Sequence, residues 1–410
     1  MEIRMENKKR VYIVDAKRTA IGKFLGSLYE ADPAEVSAQV IKGFDQEKYS
    51  LKDVESVIIG NVISAGTGQG IARKIAIQAG IPEHVPAYSL NMVCGSGMQA
   101  IRNGMNEIRC GSDLVLCGGF EFMSNIPFAT NSYIRLGKKF GDFTMTDLMT
   151  HDGLLDSFSG VHMGITAENI AEDYGVTREE QDKYAYMTQQ RAIAAVDSGK
   201  FKDEIVPVIL HDYRGREFTF DTDEFPNRLS TPEKLASLKP TFKKDGTGTV
   251  TAGNTSGIND GAAFVLLASE EYCKQHDIKP LAELCETTAV GCDPQYMGLG
   301  PYFAIKKLLK MTDISFDQID YMEINEAFAA QVLGCYKLLA QEYGVSVDEI
   351  VNKCNLVGSG LGLGHPLGAT GARITATLAH LMKNEKGKYG IASLCIGGGM
   401  GAAVLLKTVD

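Results

Sequence analysis

The chain has 410 residues, 44% of them hydrophobic and 22% charged, which allows a sizeable core and two or more domains and argues against wholesale disorder. Its net charge of -10 argues against nucleic acid or an anionic membrane as the main partner, since both need a basic face. No apolar run approaches the ~20 residues of a membrane span, and neither the polar start Met1-Glu2-Ile3-Arg4 nor the last residues read as a targeting address; a cytoplasmic protein is expected.

In chain order, residues 11–14, 54–63 and 87–93 read as strands, the third running into Cys94. Residues 95–108 have helical spacing, and 113–117 form a strand ending in Gly118-Gly119. The last third repeats this grammar. Strands are expected at 281–290, 319–324, 391–396 and 402–407, and helices at 302–309, 327–339 and 370–382. Strand alternating with helix predicts an α/β fold.

Two segments resemble each other. GSGMQAIRNGMNEIRCGSDLVLCGGFE (95–121) and GATGARITATLAHLMKNEKGKYGIASLCIGGGMG (368–401) both run Gly-rich turn, helix, apolar strand ending in Cys, then paired Gly. Ile58-Ile59-Gly60-Asn61 likewise parallels Glu323-Ile324-Asn325. A duplicated α/β half explains both; the period is too long for a solenoid. The more polar middle, with a helical stretch at 167–198, a hairpin around Tyr213-Arg214-Gly215-Arg216 and a Lys-containing loop at 234–244, reads as an insertion between the halves. The expected division is residues 1–124, completed by about 259–279, then an inserted loop domain at 125–258 and a second half at 280–410.

Nine Cys are present, an odd number with no C-x-x-C pair, so neither a disulfide framework nor a metal site is expected. Most of the nine should be small buried hydrophobes. Cys94 differs, standing where a strand hands over to a helix. A helix start favours negative charge, so a lowered thiol pKa is expected there. The same place has a competing reading. Gly95-x-Gly97-x-x-Ala100 with Glu121 downstream resembles a dinucleotide fingerprint, although Gly397-x-Gly399-x-x-Ala402 matches too and precedes a strand.

Three more segments carry chemistry. His365 lies in a Gly-rich loop (358–373) beside Pro366, which fixes its own φ and stiffens the loop, and can serve as base and donor. Cys395 ends a strand before Gly397-Gly398-Gly399, whose N–H groups could hold an oxyanion. Asn325-Glu326 also ends a strand. Asn325 could hold a water or an oxyanion, and Glu326 could orient His365 or simply start a helix.

CGSG, NEAFA, GHPLGATGAR and CIGGGMG, in that order, make the chain resemble the thiolase family from Val11 to Lys407, most closely its short-chain, acetoacetyl-CoA-forming members. The resemblance implies two similar α/β halves in a five-layered αβαβα core with an inserted loop domain. It implies a reversible Claisen condensation of two acetyl-CoA to acetoacetyl-CoA plus CoA. Cys94 would carry the acyl group and His365 would activate it. Cys395 would handle the α-proton. Asn325, through a water, would share one oxyanion hole with His365, and the N–H groups of Cys94 and Gly397 would form another.

On the substrate side the resemblance implies contacts from Ser256, Leu238 and Phe328 to CoA. His162 and Met163, in an H-M-G segment, would join Met297 in shortening the acyl pocket. Arg228 lies near an adenine-side arginine, with Asn227 at the ungapped position. Val357 stands where the family often has Asn, and Met400 where many biosynthetic members have Gln. No cofactor is implied, since CoA thioesters are the substrates, and a homotetramer is expected. The rivals are a broader-chain 3-ketoacyl-CoA thiolase, a non-catalytic acyl-CoA or lipid-binding relative, a dinucleotide-dependent oxidoreductase and a carrier-protein ketosynthase.

Overall fold

The Gly-ended apolar segments pair in parallel within each half of the chain. In the computed structural model, which describes residues 9–409, strand Ser56–Gly60 runs parallel to Leu114–Phe122 with Gly60 opposite Gly119. The polar start Met1 to Arg4 and the final Asp410 lie outside the described residues. Near the other end, Tyr321–Ile324 runs parallel to Tyr389–Ile396.

Each longer strand then takes an antiparallel neighbour, Asn259–Ser269 in the first half and Met400–Lys407 in the second. Val11–Arg18 and Ala282–Gly291 complete the two sets in the same order. The sets meet at Tyr12 opposite Glu283 and Ile13 opposite Ala282. The order of strands is therefore duplicated, as the repeat in the sequence implied.

Between the inner faces lie two helices, Ser96–Cys110 and Leu367–Glu385. Every residue from Leu367 to Met382 is buried, and the helix is accordingly small or apolar on all sides rather than on one stripe, with Arg373 and His380 the exceptions. Met98, Ile101 and Met105 of one helix share a core with Ile374, Leu378 and Met382 of the other and with both sets of strands. Outside, helices Pro33–Lys42 and Ile71–Ala79 cover the first set, and Gly300–Thr312 and Ala329–Tyr343 cover the second. The layers run αβαβα, as expected for the thiolase fold.

The stretch at 167–198 is two helices, Met163–Asp173 and Arg178–Asp197. Gly175, at φ 60°, ends the first, and a capping box of Thr177 with Glu180 starts the second. The hairpin pairs Val208–His211 with Glu217–Phe220 around Tyr213–Arg216 as expected. Buried ion pairs tie this region to the core. Arg18, fully buried, donates to Glu204 at 2.6 Å and to Asp223 at 2.7 and 3.0 Å.

The two inner helices approach through glycine. A Cβ on Gly97 would stand 2.8 Å from the Gly368 carbonyl oxygen, and one on Gly371 would stand 2.4 Å from Met98 N. Gly119 is tighter still, with 2.0 Å to the same Gly368 oxygen. That neighbour is backbone and cannot swing away. Gly119→Ala, on strand Leu114–Phe122, should cost about 3 kcal/mol of stability, read as a lower midpoint in urea unfolding; an unchanged midpoint would mean that this strand and helix Leu367–Glu385 can part without penalty.

Candidate active site

Cys94 sits on a braced turn between strand Ala87–Leu90 and helix Ser96–Cys110. The strand stops three residues earlier than the expected 87–93. Asn91 Nδ2 donates to Val62 O at 3.0 Å, and Val93 N donates to Asn91 Oδ1 at 2.8 Å. Ser96 Oγ accepts from Met92 N at 2.8 Å and donates to Val93 O at 2.7 Å. These bonds hold Val93 at φ 47°, a left-handed conformation that a β-branched residue rarely adopts. The turn presents the Cys94 side chain to a cavity rather than to the sheet.

His365 is fixed from both sides of its loop. Its N–H donates to Asn259 Oδ1 at 3.0 Å. Its Nδ1 lies 2.7 Å from Thr370 Oγ1, which also donates to Pro366 O at 2.9 Å. Nδ1 is thus engaged, and Nε2 is the nitrogen left for chemistry. Asn325 Nδ2 lies against the ring, 3.4 Å from Nδ1 and 3.5 Å from Nε2.

Cys94, His365, Cys395 and Gly397 line one cavity of about 260 Å³. His162, Met163, Met297, Ser256 and Phe328 line it too. Asn325 is fully buried behind His365. Leu238 and Arg228 line a neighbouring surface groove that meets the cavity at Thr255. Arg228 pairs there with Asp197 at 2.5 and 2.9 Å, and Asn227 borders the same groove.

Burial sets the resting protonation states. It pushes the Cys94 thiol up to about 11, and the nearby Glu121 adds to this, although the Gly397 N–H and its own N–H point at the sulfur and pull the other way. The lowered thiol pKa expected from the helix start is therefore corrected: desolvation outweighs the backbone dipoles. Cys395 is pushed well up by burial and by Cys94 beside it. His365 is pulled down to about 3 by burial and by the Arg373 charge. At neutral pH both thiols keep their protons and the imidazole is neutral.

Some residues serve otherwise than the sequence suggested. Glu326 does not reach His365. It accepts from Tyr184 at 2.8 Å, Thr188 at 2.9 Å and Asn355 at 2.8 Å, fastening helix Arg178–Asp197 to the core. Glu121 is buried among N–H donors of Val62, Ile63 and Gly368, at 2.9 to 3.1 Å, and Gly97 packs against the other helix. The fingerprint-like glycines thus face protein, and Gly397–Ala402 is a strand turn.

Phe242 went unread. Its ring stacks on His162 at 4.6 Å and meets Phe328 edge-on at 6.2 Å, walling the cavity. An aromatic side chain isolated in a Lys-rich loop was the available signal. Among the described residues no His, Cys, Asp and Glu group is arranged to hold a metal ion.

These protonation states predict how Cys94 alkylates. Its reaction with iodoacetamide, followed on the Cys94 peptide, should rise about tenfold per pH unit from pH 7 toward 10. A plateau already reached at pH 7 would instead indicate a resting thiolate–imidazolium pair.

The family model for the N-terminal domain of thiolases matches residues 11–271, and that for the C-terminal domain matches residues 278–408. A Chromobacterium violaceum protein named acetyl-CoA acetyltransferase is 46% identical over 400 residues, 97% of this chain and 99% of its own. The solved Bacillus anthracis acetyl-CoA acetyltransferase superposes with a TM-score of 0.92 at 41% identity, over 98% of this chain and 99% of that one. Human mitochondrial 3-ketoacyl-CoA thiolase in complex with CoA superposes with a TM-score of 0.90 at 40% identity, over 98% of each chain. With two cysteines and a histidine gathered between duplicated α/β halves, the chain belongs to the thiolase family.

Proposed function

We infer that the chain is an acetyl-CoA C-acetyltransferase that joins two acetyl-CoA into acetoacetyl-CoA plus CoA, reversibly, through acetyl-Cys94. The carrying observation is that two thiols, Cys94 and Cys395, and the His365 imidazole share one small cavity. A single nucleophile needs one thiol; making a carbon nucleophile beside it calls for a second proton-handling group.

In this reading Cys94 Sγ attacks the first thioester carbon as its proton passes to His365 Nε2. The transfer is uphill, so it accompanies attack rather than preceding it. The departing CoA sulfur takes the Cys395 proton. That leaves Cys395 as thiolate and His365 as imidazolium, with acetyl on Cys94. Cys395 removes the α-proton of the second acetyl-CoA, whose enolate oxygen is held by His365 and, through a water, Asn325. The carbanion attacks the acetyl carbon, whose oxygen rests on the N–H groups of Cys94 and Gly397. Cys94 leaves and recovers its proton from His365. Thiolysis is the reverse.

Met163 and Met297 shorten the acyl end, Ser256 and Phe328 line the pantetheine path, and Leu238 and Arg228 take the nucleotide end in the adjoining groove. Residues 125–258 act as the inserted loop domain that supplies most of these contacts. CoA thioesters are the substrates, and no cofactor is needed. No helix among the described residues is long and apolar enough to cross a membrane; the reading places the enzyme in the cytoplasm as a homotetramer. Exposed Leu136 and Phe140, at 80% and 96%, support self-association through the arm between strands Phe128–Thr130 and Met145–Asp147. The likeness to a 3-ketoacyl-CoA thiolase supports a second reading, a broader chain-length range.

Mass spectrometry after incubation with acetyl-CoA tests the first reading. The Cys94 peptide should gain one acetyl group, Cys94→Ser should gain none, and Cys395→Ala should acylate without condensing. Full condensation by Cys395→Ala would overturn the role assignment. Thiolysis of acetoacetyl-CoA should exceed that of a longer 3-ketoacyl-CoA, and equal rates would favour the second reading. Leu136→Asp with Phe140→Asp should shift the sedimentation profile to smaller species, and an unchanged profile would remove the arm from the interface.

A further inference from the structure

The Gly-rich motif ends in Arg373, a fully buried guanidinium that no step above uses. It lies on helix Leu367–Glu385, in the layer behind His365. Its Nη2 donates to Asn325 Oδ1 at 3.4 Å and to Ser359 Oγ at 3.3 Å, while Nε and Nη1 have no hydrogen-bond partner among the described residues. Glu323, two residues before Asn325, is also fully buried, and neither of its carboxylate oxygens has a partner among the described residues. The carboxylates whose charge Arg373 feels are Glu323, Glu204 and Glu326, and the nearby cation is Arg18. Buried polar groups left short of partners cost stability, so packing alone does not account for these two side chains.

The geometry at Asn325 does. An amide has a donating end and an accepting end, whereas a guanidinium only donates. With Oδ1 facing Arg373, Nδ2 must face the His365 ring, where it lies. Turning the amide end for end would aim donors at each other. Gly360 leaves the necessary room, since a Cβ there would stand 2.8 Å from Asn325 Oδ1.

We propose that Arg373 is a positioning residue, which holds the Asn325 amide with its nitrogen toward His365. This rests on the reading that Asn325 and His365 together hold the oxygen of the second acyl-CoA. Arg373 then supports carbon–carbon bond formation; removing it takes no donor from the oxygen of the acylation step, which rests on different groups, and frees His365 from a nearby positive charge.

The test separates the two half-reactions. Acyl-enzyme formation is timed on the Cys94 peptide and condensation by acetoacetyl-CoA release, in Arg373→Lys, the neutral pair Arg373→Gln with Glu323→Gln, Asn325→Ala, and the pair combined with Asn325→Ala. The pair should slow condensation about 10²-fold, the scale of one lost oxyanion donor, and slow acylation less than about tenfold. Arg373→Lys, which keeps charge but loses the fork, should show the same split more weakly. Added to Asn325→Ala, the pair should cause no further loss. Equal slowing of both halves, no slowing, losses that multiply with Asn325→Ala, or failure of both Arg373 variants to fold would each overturn the proposal. A wild-type protein that forms no acetyl-Cys94 would overturn the underlying reading instead.

Discussion

The close contact between helices Ser96–Cys110 and Leu367–Glu385 is the constraint on which everything else depends. Cys94 precedes the first helix and His365 precedes the second, some 270 residues apart in the chain. Only because Gly97 and Gly371 let backbone meet backbone do both helix starts reach one cavity. The two sets of strands enclose this contact, so the site is built on the most deeply buried elements of the molecule. Such elements resist displacement, which suits a reaction needing several groups aligned at once.

Chemistry and fit come from different parts of the chain. The duplicated core supplies Cys94, His365, Cys395 and Asn325. The intervening region supplies His162, Met163 and Phe242, the last stacked against the first. Arg18 with Glu204 and Asp223, and Glu326 with Tyr184 and Thr188, join the two parts through buried polar contacts. Breaking one of these by removing a single partner leaves a charge or dipole stranded in a dry interior. The acyl wall is thereby held at a set distance from the reacting sulfur.

Much of this was legible in the sequence, and the illegible parts have physical reasons. Gly-ended strands and the repeated turn–helix–strand unit announced the halves, because close backbone contacts need glycine whatever surrounds them. Strand Asn259–Ser269 escaped notice because it is buried on both faces and shows no alternation. Helix Pro33–Lys42 had its signals, Asp32 capping Ala34 N and Pro33 at the first position, but they were not taken up. The four motifs located the site. They did not reveal that burial lifts the Cys94 thiol, since a helix start is visible in one dimension and desolvation is not. Phe242 and Arg373 were hidden for the same reason: what each touches is set by segments distant in the chain.

The duplicated strand order has a consequence for how the site came to be asymmetric. When GSGMQA is laid on GATGAR, Cys94 and His365 fall within two positions of each other, each just ahead of its helix. The helices meet across an approximate twofold relation, so both approach the same place from opposite sides. The two halves thus place different side chains just ahead of comparable helices, a nucleophile in one and its base in the other.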